Sequence, residues 1–420
     1  MLDIKFIREN KDLVKAGARK KHVDIDLDAL IVLDDKRKAL TASFEAKRAE
    51  QNAVSAKLPS ADAETKAALL ESMKKVKTDM QADEEALKEM MKEWQAMMLR
   101  VPNMPDISVP DGVSDADNKE VHTWGEKTQF SFQPKDHIEL MTKLDLLDLE
   151  KGTETAGFRG YYLKNDAVTM NFGLWQFVLD RFVKKGYKPM MVPSLVRKQP
   201  LYGTGYLPQG EEDLYKTQDG DYLTGTAEVA TMSYFADKVI DKSELPMKII
   251  AFSTCFRREA GSHSKDTKGI IRVHEFYKLE QVILCEASHE ESVKHHEELR
   301  RNSEEILEAL KLPYHTVVNC GGDIGLGQVK KYDLEAWVPS QNTYRETHSC
   351  SYFHDFQTRR LNIRYRDTDG KLKFAHSLNN TALAGPRILV PIIENYQQED
   401  GSVKVPDILK PYLGKDVITK

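Results

Sequence analysis

Residues Phe252–Val282 read FSTCFRREAGSHSKDTKGIIRVHEFYKLEQV, and this stretch decides the fold class. It opens with a β-like run ending in Arg257-Arg258-Glu259 and passes through a polar, glycine-containing loop to Gly269. A second β-like run returns from Ile270 to Leu284. That is the pattern of an antiparallel hairpin with a long loop. Alternate residues of a strand share a face, so Arg257 and Glu259 are expected to point one way and Arg258 the other. On the return strand Arg272, His274, Phe276, Lys278 and Glu280 are expected to share a face. Arginines, acids and an aromatic ring on one face are not buried without partners. A solvated, exposed sheet is the bland alternative, and the apolar residues on either side speak against it.

Working outward, helical patterns over Thr169–Lys185 and Ser288–Leu310 alternate with short β-rich runs such as Lys248–Phe252. Strands interrupted by irregular helices predict an α+β domain with an antiparallel sheet, not the regular βαβ alternation of a parallel one. The phosphate loop GxxxxGK[ST] is absent. The glycine-rich run from Gly321 to Gly327 lacks GxGxxG and precedes a strand-like segment, whereas a dinucleotide fingerprint needs a helix there. A tight turn against another backbone is the expected use of these glycines.

The first hundred residues are built differently. From Asp28 to Met98 there is one proline, Pro59, and no glycine. Apolar residues fall at Leu30, Leu33, Leu40, Phe44, Val54 and Leu58, and resume at Leu69, Met73, Val76, Met80, Leu87, Met90, Trp94 and Met97. Arg37, Lys47, Gln51 and Asp83 fill the remaining seam positions. Such a three–four spacing is what two coiled helices need, and Leu58–Asp62 suits the turn between them. The expectation is an antiparallel helical hairpin of roughly 30 residues per arm, on the order of 45 Å long, projecting from the rest. A shorter helix from Ile4 to Gly17 precedes it. The Pro-, Asp- and Ser-rich segment between Arg100 and Thr123 reads as a linker. The expected division is a helical arm over 1–105, a linker over 106–122 and a second domain over 123–420.

Composition excludes several classes. No apolar run approaches the roughly 18–20 residues that span a bilayer. The N-terminus MLDIKFIREN is neither a secretory signal nor a transit peptide, which predicts a cytoplasmic location and no membrane partner. Cys255, Cys285, Cys320 and Cys350 form no CxxC pair, so no structural zinc is expected and each reads as a buried thiol. His274, His348 and His376 are irregularly spaced, which favours structural hydrogen bonds over metal ligation. The net charge of −5 does not attract nucleic acid by itself. With 20 bases and 19 acids over residues 1–100, any RNA contact must come from local clusters. Candidates are Lys36-Arg37-Lys38, Lys47-Arg48 and Lys74-Lys75-Lys77; the bland reading is a solvated helix face.

The hairpin segment resembles the second signature motif of class II aminoacyl-tRNA synthetases: a strand ending in Arg-x-Glu, a variable loop, and a strand with an arginine and a phenylalanine. Its particular form, CFRREAG…KGIIRVHEFYKLE, is similar to that of the seryl-tRNA synthetase family. Gly186–Pro193, GYKPMMVP, is similar to the first motif, which builds a dimer interface. His376–Ile388, HSLNNTALAGPRI, is similar to the third, a strand and helix whose arginine contacts ATP. Thr224–Glu228, TGTAE, matches an element associated with serine recognition, and the hairpin arm matches the family's tRNA-binding domain. The resemblance spans essentially the whole chain with its motifs in order.

It implies a helical tRNA-binding arm joined to a class II catalytic domain on an antiparallel sheet flanked by helices. The implied reaction joins L-serine to tRNA(Ser), and to tRNA(Sec) where present, through a seryl-adenylate, with ATP and Mg2+ and as a homodimer. By resemblance Arg257 takes the α-phosphate, a task for a planar bidentate donor, and Arg387 takes the γ-phosphate. The implied ATP set also includes Arg258, Glu259, Arg272, Val273, Phe276, Glu346, Thr347, His348 and Ser349. Phe276 and Arg387 sandwich the adenine, Glu259 accepts from its amino group, and Glu346 and Ser349 hold Mg2+. Thr226, Ala227, Glu228, Arg257, Glu280, Asn379 and Thr381 surround serine. Two departures stand out: Asn380-Thr381-Ala382 and Gly385-Pro386-Arg387 replace a frequent Gly-Ser-Gly and Val-Gly-Arg. Thr381 still supplies a hydroxyl. The loop residues His263-Ser264-Lys265 are variable, which leaves contacts to the tRNA acceptor end open.

Three rivals remain. A relative loading a carrier protein would lack the arm; a non-catalytic relative would lose Arg257, Glu259, Glu280 or Arg387; a coiled-coil interaction protein would leave the charged hairpin unexplained.

Overall fold

A computed structural model describes residues 1–262 and 266–420; His263, Ser264 and Lys265 lie outside the described residues. The chain divides into two compact units. One is Leu2–Arg19 with Val23–Pro102; the other is Met1, Lys20–His22 and Asn103–Lys420.

The first unit carries the expected hairpin, as helices Leu27–Lys57 and Ala63–Arg100 joined by a 3₁₀ turn at Leu58–Ser60. Asp26 caps the first by accepting from the Ala29 amide and Asp62 caps the second by accepting from the Thr65 amide, each satisfying a backbone N–H of the opening turn that has no partner within the helix. At 31 and 38 residues the arms are about 46 and 57 Å long. Their seam is drier at the base than along its length: Leu27, Leu30 and Leu33 are buried on one arm and Met98 on the other. Farther out, Asp83 accepts from Ser43 Oγ at 2.9 Å and from Lys47 Nζ at 2.7 Å across the pair. The short helix before the arm differs from expectation. It is two helices, Ile4–Glu9 and Lys11–Lys20, separated at Asn10, whose backbone leaves the helical region at φ −126° and whose backbone and side-chain amides both donate to the Phe6 carbonyl.

The second unit is built on eight strands: β1 (Lys119–Trp124), β2 (Lys188–Met191), β3 (Met247–Phe256), β4 (Glu275–Cys285), β5 (Tyr314–Val318), β6 (Lys330–Val338), β7 (Thr343–His354) and β8 (His376–Gly385). Their order is β1-β5-β6-β7-β8-β4-β3-β2. Every neighbouring pair is antiparallel except β2–β3. Strand β1 begins inside the segment expected as linker. Helices Asp166–Lys184 and His289–Ala309 match the helical patterns of the sequence. Leu299, Ile306, Val178 and Phe182 from these helices share a core with Leu279, Ile283, Leu334, Cys350 and Leu378 from the sheet. On the other face Val282 and Leu284 enter a second core with Tyr222, Val229 and Ile363. All four cysteines are buried and free.

The deciding hairpin forms, pairing Phe256 with Glu275 and Met247 with Leu284, but its return strand starts at Glu275 and not at Ile270. Ile270 and Ile271 are buried inside the connecting segment, so their β-branched character reflects burial and not strand pairing. The outgoing strand ends at Phe256, and Glu259 sits at φ +57°, outside any strand geometry. The glycines after Val318 behave as expected. A Cβ on Gly321 would lie 2.0 Å from the Lys20 carbonyl oxygen, and one on Gly322 2.4 Å from that of Val113.

Candidate active site

Three adjacent strands build one wall of a cleft. Along β4 strict alternation aims Phe276, Lys278 and Glu280 into it. Along β8 Asn379 and Thr381 point in, and then a bulge opposite Leu279/Glu280 shifts the alternation so that Ala384 and not Leu383 follows. A bulge opposite Leu334/Glu335 does the same on β7: Ser351, Ser349 and Thr347 alternate, and Glu346 joins them out of step. Bulges re-aim side chains in this way at sheet sites. Arg257 and Glu259 enter from beyond β3, and Arg387 from the loop before the Leu389–Asn395 helix. The cleft holds a cavity of about 290 Å³.

Its charges are arranged in two groups. At one end Arg387 donates through Nε to the Ile271 carbonyl at 2.9 Å and lies 3.4 Å from Glu346 Oε2. Burial opposes ionisation of Glu346, but Arg387, Lys331 and Arg257 outweigh it and hold the carboxyl below its usual range. Glu259 accepts from Arg272 Nη1 at 2.6 Å. The Arg257 guanidinium carbon lies 5.3 Å from the Phe276 ring centre. At the other end Lys278 Nζ forms an ion pair with Glu280 Oε2 at 2.7 Å. Burial raises the Glu280 carboxyl, with Lys278 and Arg257 opposing. Thr226 caps the Ala227–Tyr234 helix, accepting from the Glu228 amide at 3.3 Å. A cleft with paired arginines at one end and a compact acid–base pair at the other suits a polyanion beside a small zwitterion.

Residues 215–396 match the family described as tRNA synthetase class II core domain (G, H, P, S and T), and residues 1–105 match the seryl-tRNA synthetase N-terminal domain. The serine–tRNA ligase of Deinococcus radiodurans is 45% identical over 415 residues, covering 99% of this chain and 98% of that protein. The chain belongs to the seryl-tRNA synthetase family. Two solved structures agree. The family member from Pyrococcus horikoshii, complexed with ATP, superposes with a TM-score of 0.90 at 35% identity over 100% of this chain and 99% of its own. The cytoplasmic serine–tRNA ligase of Naegleria fowleri, in complex with AMP, gives 0.87 at 33% identity, covering 100% of this chain and 99% of its own.

Set against the family motifs, the cleft gathers Thr226, Arg257, Glu259, Val273, Phe276, Glu280, Glu346, Thr347, Ser349, Asn379, Thr381 and Arg387. Five expected site residues, and His274 from the expected strand face, stand outside its lining. Arg258 follows the strand end, its amide bound to the Asp213 carbonyl, and its side chain is not in the cleft. Arg272 lines an adjoining cavity with Asp266, Asp323 and Asp333. His274 shared the expected face, yet it lines a separate apolar pocket with Phe158 and Tyr215, because β4 has not begun there. His348 lies between two inward residues and so faces away; burial pushes its imidazole down to about 4, and its Nδ1 sits 2.8 Å from Thr347 Oγ1. Ala227 and Glu228 are buried behind the cleft at the start of their helix. His274 and His376 make hydrogen-bond-length contacts, to the Arg257 carbonyl and Ser292 Oγ respectively.

Sequence reasoning missed Tyr206, Gln328, Lys331 and Ser351, and gave Lys278 no role, although all five line the cleft. Lys278 was legible from its alternation with Phe276 and Glu280. Ser351 was likewise legible from its alternation with Ser349 and Thr347, whereas Tyr206, Gln328 and Lys331 reach the cleft through tertiary neighbours and carry no local signal.

On the arm, Arg37 and Lys38 are bound to Asp34, at 2.8 and 3.0 Å, and Lys47 to Asp83. Lys36 and Arg48 are exposed.

Proposed function

We propose that this chain condenses serine with ATP to seryl-adenylate and transfers the seryl group to tRNA. The carrying observation is the two-ended cleft within a chain of this family. The serine carboxylate attacks the α-phosphorus and pyrophosphate leaves. Both reactants are anionic, so catalysis consists of alignment and charge neutralisation. Arg257 spans the carboxylate and α-phosphate; Arg387 holds the far phosphate; Phe276 stacks on the adenine and Glu259 accepts from its amino group. Glu280, Thr226, Asn379 and Thr381 surround the serine ammonium and hydroxyl. Alanine would leave those polar groups unpaired, which is a strong basis for rejection.

Glu346 and Ser349 both supply oxygen donors to the cleft, with the Glu346 carboxyl held below its usual range, and these donor types fit Mg2+. When bound, the ion supplies neutralisation of phosphate charge. Arginines 257 and 387 supply the part of it that belongs to this chain.

Residues 1–105 bind tRNA in this reading, with Lys36 and Arg48 the arm cations best placed for phosphate; tRNA(Sec) belongs to the same reading as tRNA(Ser). The proposed homodimer is supported by large exposed apolar side chains on the first-motif side of the second unit, Phe172 and Met191 among them, since such patches mark interfaces. Among the described residues no helix is long and apolar enough to cross a membrane, and a cytoplasmic location accords with that.

The test is ATP-dependent attachment of labelled serine to total tRNA by the full chain and by a chain lacking residues 1–105. The full chain is expected to charge; the truncated one is expected to lose charging and keep serine-dependent pyrophosphate exchange. Exchange without charging by the full chain would mean a different acceptor, and no exchange would overturn the catalytic assignments.

A further inference from the structure

Tyr206 follows the Lys198–Thr204 helix and lines the amino-acid end of the cleft beside Thr226, Lys278 and Glu280. Its hydroxyl lies 3.0 Å from Glu228 Oε2. Glu228 is 2% exposed and does not line the cavity. We propose that Tyr206 is a specificity-determining residue that presents its phenol oxygen as an acceptor to the substrate ammonium, with Glu228 setting that polarity from behind as a positioning residue. The inference rests on the serine reading above and deepens it.

The surrounding bonds fix the directions. Gln357 Nε2 reaches the Thr204 carbonyl at 3.2 Å, an atom that can only accept, while Ser377 Oγ donates to Gln357 Oε1 at 2.7 Å. The amide orientation is therefore set, and Gln357 can only donate to Glu228 Oε1, at 2.6 Å. An ionised Glu228 accepts at both oxygens. Tyr206 must then give its proton to Oε2 and turn its lone pairs toward the cavity. A protonated Glu228 would carry its proton on Oε2 and donate it to Tyr206, turning the phenol O–H outward as a donor, which an ammonium cannot use. The charged groups facing the pair are Glu280 and Lys278 on β4 and Arg257 beyond β3. Burial pushes the Glu228 carboxyl up to about 7, against the Gln357 bond, so both polarities fall within the working pH range.

The experiment is serine-dependent ATP–pyrophosphate exchange by the full chain between pH 6 and 8, with KM measured for serine and for ATP. Tyr206→Phe is expected to raise the serine KM roughly ten- to hundredfold, the loss of a bond to a charged group, with the ATP KM unchanged. The wild-type serine KM is expected to rise as pH falls through about 7. Glu228→Gln is the isosteric second variant. Its amide donates toward Tyr206, so its serine KM is expected to stay at the low-pH value throughout. An unchanged serine KM in Tyr206→Phe, or equal rises in the serine and ATP KM values, would overturn the proposal while leaving the serine reading intact. No serine-dependent exchange by the wild-type chain would overturn both.

Discussion

The arm and the cleft use charge in opposite ways. On the arm, acids and bases are nearly balanced and are bound to one another. Asp34 is fully buried and bound by Arg8, Arg37 and Lys38, and Asp83 joins the two helices through Lys47 and Ser43. In the cleft, Arg257, Arg387, Lys278, Glu280 and Glu346 converge on one cavity. Paired charge stabilises and fixes register; converging charge costs stability and binds. The difference says where substitutions should act on folding and where on chemistry.

The sharpest way to break that contrast lies in the cleft. Arg257→Ala or Arg387→Ala should reduce pyrophosphate exchange by about a thousandfold, as for loss of a transition-state donor, with little change in the thermal unfolding midpoint. Exchange within tenfold of wild type would remove these residues from the chemistry. Next in size, Asp34→Ala should destabilise the arm by about 1–3 kcal/mol, since three bases lose a buried partner but retain partial access to water. Circular dichroism of the full chain would detect it, with exchange unaffected. The same carboxyl predicts a pH effect. Burial opposes its ionisation, and the bonds from Arg37, Lys38 and Arg8 outweigh that, so its folded pKa lies below the ordinary value. A depressed acid contributes stability above its unfolded pKa of about 3.9 and loses it as pH falls through the folded value. Acid unfolding of the arm should therefore shift to higher pH in Asp34→Ala.

The smallest effects separate the arm's own cations. Lys36→Ala and Arg48→Ala should each weaken tRNA binding a few-fold and reduce the salt slope by about one, leaving helicity unchanged. Lys47→Ala should instead lower the thermal unfolding midpoint of the arm slightly and leave the salt slope unchanged. Interchanged results would mean that the paired lysine, and not the exposed pair, meets the RNA.

Much of this was legible in the chain itself. The three–four apolar spacing and the proline break gave the hairpin to within a few residues, because helix and turn are short-range in sequence. Alternation placed Phe276, Lys278 and Glu280 on one face, because β4 is regular there. Where alternation fails, the reading failed with it. Ile270, Ile271 and Val273 have strand-forming side chains, yet they are buried in the loop and not paired in a strand; Arg272 and His274 leave the face assigned to them. The bulges on β7 and β8, which bring in Glu346 and Ala384, depend on partner strands far away in the chain.

Sequence alone thus determined the two building plans and the chemical types gathered for the site, since these follow from local periodicity and motif spacing. Tertiary structure alone decided which side chains meet. Tyr206, Glu228 and Gln357 are brought together by elements that share no sequence neighbourhood, and a hydrogen-bond direction exists only once all of its partners are in place.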